Sequence, residues 1–258
     1  MGLPVWPALA LAAALLPPAV AAEPLAAASA AAPASAPSLA EAAASIPPSV
    51  QLSYQVQARV VGIPVTAQAA LDWRQDGARY TAHWTFSGPF GLRREQSSAG
   101  ALTPHGLAPE QFSERGRTAH FERAQGRITF SDMPPAELAP GAQDRLSVSV
   151  QLGALIAAAP ERYPPGTQVA LQVAGARGAD VWTFTVQGDE TLQLGGQTLP
   201  CVKLERSGAA SDQQLTLWLA RARNYLPVRL RMSQPNGDLA DQQLTRLRRT
   251  GSEGNAQE

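Results

Sequence analysis

Between Val50 and Phe86 apolar and polar residues alternate in strict period two, and this pattern constrains the fold more than any other feature of the chain. Val50, Leu52, Tyr54, Val56, Ala58 and Val60 alternate with Gln51, Ser53, Gln55, Gln57 and Arg59. Val65, Ala67, Ala69, Leu71 and Trp73 form a second run, and Tyr80, Ala82, Trp84 and Phe86 a third. Successive side chains of a strand point to opposite faces, so each run is a strand with one apolar face. Asp76-Gly77 as a two-residue hairpin loop would set Trp73 opposite Tyr80, Leu71 opposite Ala82, Ala69 opposite Trp84 and Ala67 opposite Phe86. Gly62-Ile63 as a type II′ turn would set Val60 opposite Val65, Val56 opposite Ala69 and Leu52 opposite Trp73. Both registers gather the large apolar side chains on one face, which a one-residue slip would undo.

Shorter segments continue the pattern: Arg93 to Ala99, Glu110 to Arg115, Thr118 to Arg123, Arg127 to Ser131, Thr167 to Ala174 and Asp180 to Gln187. Leu192 and Leu199 flank a Gly195-Gly196 hairpin leading to Val202 and Leu204. Leu215 to Leu219 and Leu226 to Met232 follow, and Asn236-Gly237 turns into a last strand ending near Arg249. Roughly a dozen strands without helices between them predict a mainly β fold: a curved antiparallel sheet or unclosed β-barrel packed on one or two short helices. Residues 144–152 alternate like a strand, yet Gly153 to Ala159 favours helix and Asp144 suits an N-cap. Helix is the expectation for 144–159, and so apolar a helix must be buried.

The two ends differ from residues 46–250, which read as a single domain. Ala8 to Leu16 is an apolar run of signal-peptide length, about half of what a bilayer span requires, broken by Pro17-Pro18. Ala19-Val20-Ala21 and Val20-Ala21-Ala22 fit a cleavage pattern before Glu23. Residues 1–22 are thus expected to be a signal peptide cleaved near Ala21 or Ala22, delivering the chain to the periplasm with no transmembrane span. The only positive charge before the run is the α-amino group, so a short retained anchor stays as the alternative. The absence of a cysteine after the cleavage site speaks against lipid modification. Residues 23–45 are Ala/Pro/Ser-rich without an aromatic residue and are expected to be a disordered linker. Residues 251–258 are expected to be a disordered tail.

Charge and rare residues exclude several functions. Lys+Arg and Asp+Glu number 21 each, and the cations form no stripe, which speaks against nucleic acid as partner. One cysteine, Cys201, permits no intrachain disulfide, and with three scattered histidines it permits no Cys/His zinc site of ordinary spacing. No acidic spacing suggests another metal, and no cofactor is expected. Gly195-Gly196 precedes no helix start and is no phosphate loop. His83 falls on the polar face near Asp72 and Thr81, while His105 and His120 sit in turn or short-strand settings. No nucleophile–base pair or Gly-x-Ser-x-Gly elbow accompanies them, so no catalytic residue is assigned and a non-enzymatic role is expected. Cys201 beside Pro200 reads as a buried structural thiol.

Three stretches carry a family likeness: Ser98 to Phe112, Gln143 to Leu155, and Trp218-Leu-Ala with Tyr225-Leu-Pro-Val-Arg-Leu-Arg231. With Ser53-Tyr54 they resemble a family of exported Gram-negative proteins known only as a domain of unknown function. The ending is also similar, more weakly, to periplasmic lipoprotein carriers of the LolA/LolB type. That second resemblance implies an unclosed barrel around helices with an apolar cavity for acyl chains. The aromatic face is the candidate binding site: Tyr54, Trp73, Tyr80, Trp84 and Phe86, extended by Trp182, Phe184 and Trp218. Two readings of it stand open, a filled core and a cavity for an apolar ligand. Three functions follow as alternatives: a carrier of lipid or lipoprotein acyl chains, an envelope scaffold binding another periplasmic protein through sheet edges, and, least supported, an enzyme.

Overall fold

The computed structural model describes residues 45–207 and 213–250. The signal-peptide, cleavage, linker and tail expectations lie outside these residues, apart from Ser45.

The first three strands are β1 (Val50–Val60), β2 (Ile63–Gln75) and β3 (Arg79–Ser87). Their apolar faces fall as the alternation requires, but both turns lie one step from the predicted place. Val60 pairs with Ile63, not Val65, and Leu52 pairs with Leu71, not Trp73. Val56 correspondingly meets Ala67 rather than Ala69. The turn is Val61-Gly62, with φ of 50° and 79°, and two central residues of positive φ define the type I′ geometry that suits strand twist. The next loop is longer than two residues. The Asp76 carboxylate accepts the amides of Ala78 and Arg79, which closes a four-residue turn. Gln75 therefore pairs with Tyr80, Trp73 with Ala82, Leu71 with Trp84 and Ala69 with Phe86. Each register is displaced by two residues, and a displacement of two leaves every side chain on its predicted face.

The chain continues through β4 (Arg93–Thr103), β5 (Gly106–Glu114), β6 (Arg117–Glu122), β7 (Arg127–Phe130), β8 (Ala136–Glu137) and β9 (Gln143–Asp144). After the helix α1 (Ser147–Ala158) come β10 (Gln168–Gly175), β11 (Gly178–Leu194), β12 (Gln197–Ser207), β13 (Gln214–Ala220), β14 (Leu226–Ser233) and β15 (Leu239–Arg249). All fifteen form one sheet, in the order β8-β7-β6-β5-β4-β3-β2-β1-β15-β14-β13-β12-β11-β10-β9. Every pairing is antiparallel except the two-residue contact of β9 with β10. The sheet curls until its margins meet. Gln172 of β10 accepts the Ala139 amide and donates to the Glu137 carbonyl, both at 2.8 Å. A side-chain amide thus bridges where a barrel would continue its backbone ladder.

Helix α1 supplies the expected apolar core. Val148, Val150, Leu152, Ala154, Leu155 and Ile156 are all buried. Val150 and Ala154 join one cluster with Val50, Leu52, Tyr54, Trp73, Tyr80 and Phe86. A second cluster joins Phe112, Phe121 and Ile128 of β5–β7 to Ala174 and Ala176 beside the seam.

Candidate functional site

Seven of the eight aromatic candidates are buried: Tyr54, Trp73, Tyr80, Phe86, Trp182, Phe184 and Trp218. Trp84 is half-buried and packs against the first cluster from its margin. Trp73 and Tyr80, displaced from direct opposition, still stack with ring centroids 5.1 Å apart. Trp84 and Phe86 stack at 6.1 Å. The cluster of Tyr54, Trp73, Tyr80 and Phe86 takes in Trp218, whereas Trp182 and Phe184 lie outside it. Polar atoms of the buried rings are mostly satisfied, as burial demands. Trp73 donates to the Pro47 carbonyl at 3.1 Å and Tyr54 to the Pro227 carbonyl at 2.8 Å. The Trp218 indole N–H has no hydrogen-bond partner, and its ring packs under the Arg229 guanidinium, 4.6 Å from the centroid.

Beneath the aromatic face lies a buried polar chain. The Tyr80 hydroxyl lies 3.0 Å from Ser98 Oγ, which donates to Asp144 Oδ2 at 2.5 Å. Asp144 Oδ1 accepts the amides of Leu146 and Ser147 at 2.8 and 2.9 Å, and Ser147 Oγ accepts the Asp144 amide. The helix expected from Asp144 starts instead at Ser147 with Leu146 in the N-cap position, so Asp144 of β9 holds the backbone just ahead of it rather than capping it. Loss of water around the carboxyl outweighs these donors and pushes its pKa up to about 6. Burial likewise raises the Tyr80 and Tyr54 hydroxyls.

Two glutamines fasten the same helix to β5. Gln151 accepts the Leu107 amide and donates to the His105 carbonyl, while Gln143 donates to the Leu107 carbonyl. Gly153 faces the Tyr225 carbonyl so closely that an added Cβ would lie 2.5 Å from that oxygen. The three stretches carrying the family likeness therefore converge on α1: Ser98 and Leu107 from the first, Gln143, Asp144, Gln151 and Gly153 from the second, Tyr225 from the third. They form the seat of the helix. Of these, Asp144 alone carried a specific role in the sequence; Ser98, Gln143 and Gln151 gave no periodic or turn signal that would have marked them.

Catalytic geometry does not gather around the histidines. His83 lies opposite Asp72 on the polar face, and all three histidine side chains are exposed. Among the described residues, no three His, Cys, Asp or Glu side chains come together as metal ligands. Cys201 is fully buried, and burial pushes its thiol up to about 11. Two open clefts of about 900 and 640 Å³ are lined mainly by polar and charged residues, including Arg74, Arg79 and Arg248 in the first and Arg93, Glu95 and Glu114 in the second. Of the aromatic candidates, only Tyr80 touches either cleft.

Around the inner face, seven of the described apolar residues are only partly buried: Leu102, Leu146 and Leu247 besides the four that follow. Val65, Trp84, Leu92 and Met232 pack on the cluster without being buried. Val65 and Met232 are both on the Val60–Ile63 side of the sheet, where Ala58 pairs with Val65 and Met232 with Ala240. Trp84, stacked on Phe86, and Leu92 leave a half-exposed apolar mouth beside the β3–β4 turn, whereas Val65 and Met232 lie apart from it, since Trp84 pairs with Leu71, six residues along β2 from Val65.

The fold has solved counterparts. A β-barrel-like protein of the DUF1849 family from Brucella abortus superposes with a TM-score of 0.53 at 12% identity, covering 80% of this chain and 100% of that one. An exported protein with a YmcC-like fold from Bacteroides fragilis matches at a TM-score of 0.39 and 11% identity, covering 78% and 96%. MucB in its complex with MucA from Pseudomonas aeruginosa matches at 0.32 and 17%, covering 81% and 54%. At 12% identity the likeness to the Brucella protein is one of fold alone, and the lipoprotein-carrier resemblance of the C-terminal motif is not shown. No curated protein matches the sequence. A family model described as a protein of unknown function, DUF3108, matches residues 53–245.

Proposed function

The chain belongs to that DUF3108 family, and from its inner face we propose a non-enzymatic binding or carrier module of the periplasm that takes an apolar ligand, a lipid or lipoprotein acyl chain. The observation that carries this reading is the mouth of Trp84 and Leu92, continuous through Phe86 with a buried aromatic wall. A domain with no further use for that margin gains stability by covering it, since each large apolar side chain brought out of water contributes about 1.5–3 kcal/mol. An acyl chain supplies such cover, and Trp84 stacked on Phe86 gives it a flat wall.

The alternative is an envelope scaffold that binds a protein partner by strand addition. Its sheet margins offer little ladder: β8 and β9 are two residues each, Pro134, Pro135 and Pro140 flank β8, and the Gln172 amide spans the gap.

A titration with a fluorescent fatty acid tests the binding reading. Trp84→Ala should weaken probe binding by more than it weakens folding. Unchanged probe binding beside a multi-kcal loss of stability would sink the carrier reading.

A further inference from the structure

Among the described residues, the two large apolar side chains most exposed to water are also at backbone positions of positive φ. Phe90, in the turn between β3 and β4, is 96% exposed at φ 57°, and Val61, at the β1–β2 tip, is 70% exposed at φ 50°. A β-branched or bulky side chain in the left-handed region is a genuine outlier, because its Cβ crowds the following carbonyl. Asn-Gly is the usual type I′ pair, so Val61 ahead of Gly62 adds strain and gives back no packing. The tip is nonetheless held firmly, its Val61 amide donating to Asp238 Oδ1 at 2.7 Å. Strain and exposure together, at two positions that a polar residue would fill more stably, point outward to something the tips touch.

The surroundings say what. In an antiparallel meander these two turns lie at the same end of the sheet, separated sideways by two strand spacings, about 10 Å, and further along the strand direction. The β1–β2 tip also projects. Pairing of β2 with β3 begins only at Gln68, leaving Ile63 to Ala67 beyond the end of β3, a reach of about 17 Å. Ile63 is 56% exposed beside Val61, and Pro64 follows it. Met133, another exposed large apolar residue, sits past β7 at this same end. Residues 59–66 and 88–94 carry Arg59, Arg93 and Arg94, while the acids at this end include Asp238, held by the Val61 amide, and Asp132, paired with Arg117. Arg93 pairs with the adjacent Glu95, while Arg59 makes no ion pair among the described residues. Separate apolar tips with arginines a few residues behind them match a bilayer interface, where side chains enter the acyl boundary and cations stay with anionic headgroups.

We propose that Val61-Gly62-Ile63 and Phe90 insert into the surface of an anionic lipid bilayer, docking the domain by this end. The inference does not depend on the carrier reading, since it rests on the tips alone; the apolar mouth opens at the same end. The test uses the purified protein with one added cysteine, at Val61, Phe90 or, as a control at the opposite end, His105, each bearing an environment-sensitive fluorophore. Buried Cys201 stays unlabelled in the folded protein. Vesicles of phosphatidylcholine containing phosphatidylglycerol should blue-shift and brighten the probes at 61 and 90, and leave the probe at 105 unchanged. Val61→Asn and Phe90→Asn, which relieve the backbone, should each lower vesicle partitioning about tenfold. Val61→Asn should do so with a melting temperature no lower than the parent. Vesicle binding with silent probes at 61 and 90 would overturn the proposal. So would probe shifts that appear without vesicles, which would mark contact with a second copy of the chain.

Discussion

Ser98 donates a hydrogen bond to Asp144 across 46 residues of sequence, joining β4 to β9, just ahead of α1, at a buried site. That bond places a carboxylate in the core without a cation against it; its donors are Ser98 and the amides of Leu146 and Ser147.

Burial holds the Asp144 pKa at about 6 in the folded protein, above the ordinary carboxylate value. A raised folded-state value means the folded form holds its proton more tightly than the unfolded chain. The group's favourable contribution is therefore complete below about pH 4 and disappears as the pH rises through about 6. Two units correspond to about 3 kcal/mol. Urea denaturation between pH 4.5 and 7.5 should show stability falling through this window, and Asp144→Asn should flatten it. An identical slope in the variant would show that other groups set the dependence.

Gly153→Ala tests the seat of the helix. Alanine is the better helix former by about 1 kcal/mol, yet its Cβ would press on the Tyr225 carbonyl. We expect a net loss of about 1–3 kcal/mol in urea denaturation. A stabilised variant would mean that α1 stands farther from the β13–β14 turn.

Two tryptophans on one face should respond unequally. Trp73 is fully buried, and Trp73→Ala should cost about 3–5 kcal/mol. Trp84 is half-buried, and its replacement should cost clearly less. Equal losses would place Trp84 in the packed core and close the mouth.

Cys201 should resist thiol reagents in the native protein at pH 8, because burial in β12 removes its thiol from solvent and pushes its pKa up to about 11. Reaction should follow unfolding, which a colorimetric thiol assay across a urea series can read. Full reaction without denaturant would contradict the burial.

The sheet was legible in the sequence because its signal is local. Period two places Leu52, Tyr54, Trp73 and Phe86 on one face whatever the register, provided the slip is even. The partners were less legible because turns set them. Val61-Gly62 has no turn signature in its first residue, and Asp76 lengthens its loop by capturing the Ala78 and Arg79 amides. The helix was legible from its composition, though it begins at Ser147 and not at Asp144. Its seat was not, since Ser98, Gln143 and Gln151 are polar residues in strand or helix segments whose partners lie 36 to 46 residues away. The eight aromatic candidates were identified as a face, but three-dimensional packing divides them. Curling of the sheet leaves Trp182 and Phe184 outside the main cluster and Trp84 at its open margin.

The proposal that the inner face takes an apolar chain is tested most directly by titrating the protein with a brominated fatty acid and following tryptophan emission. Bromine quenches only at contact. We expect saturable quenching in the parent protein and loss of most of it in Trp84→Phe, with the fold intact by circular dichroism. Absence of saturable quenching, or quenching that is the same in Trp84→Phe, would contradict it.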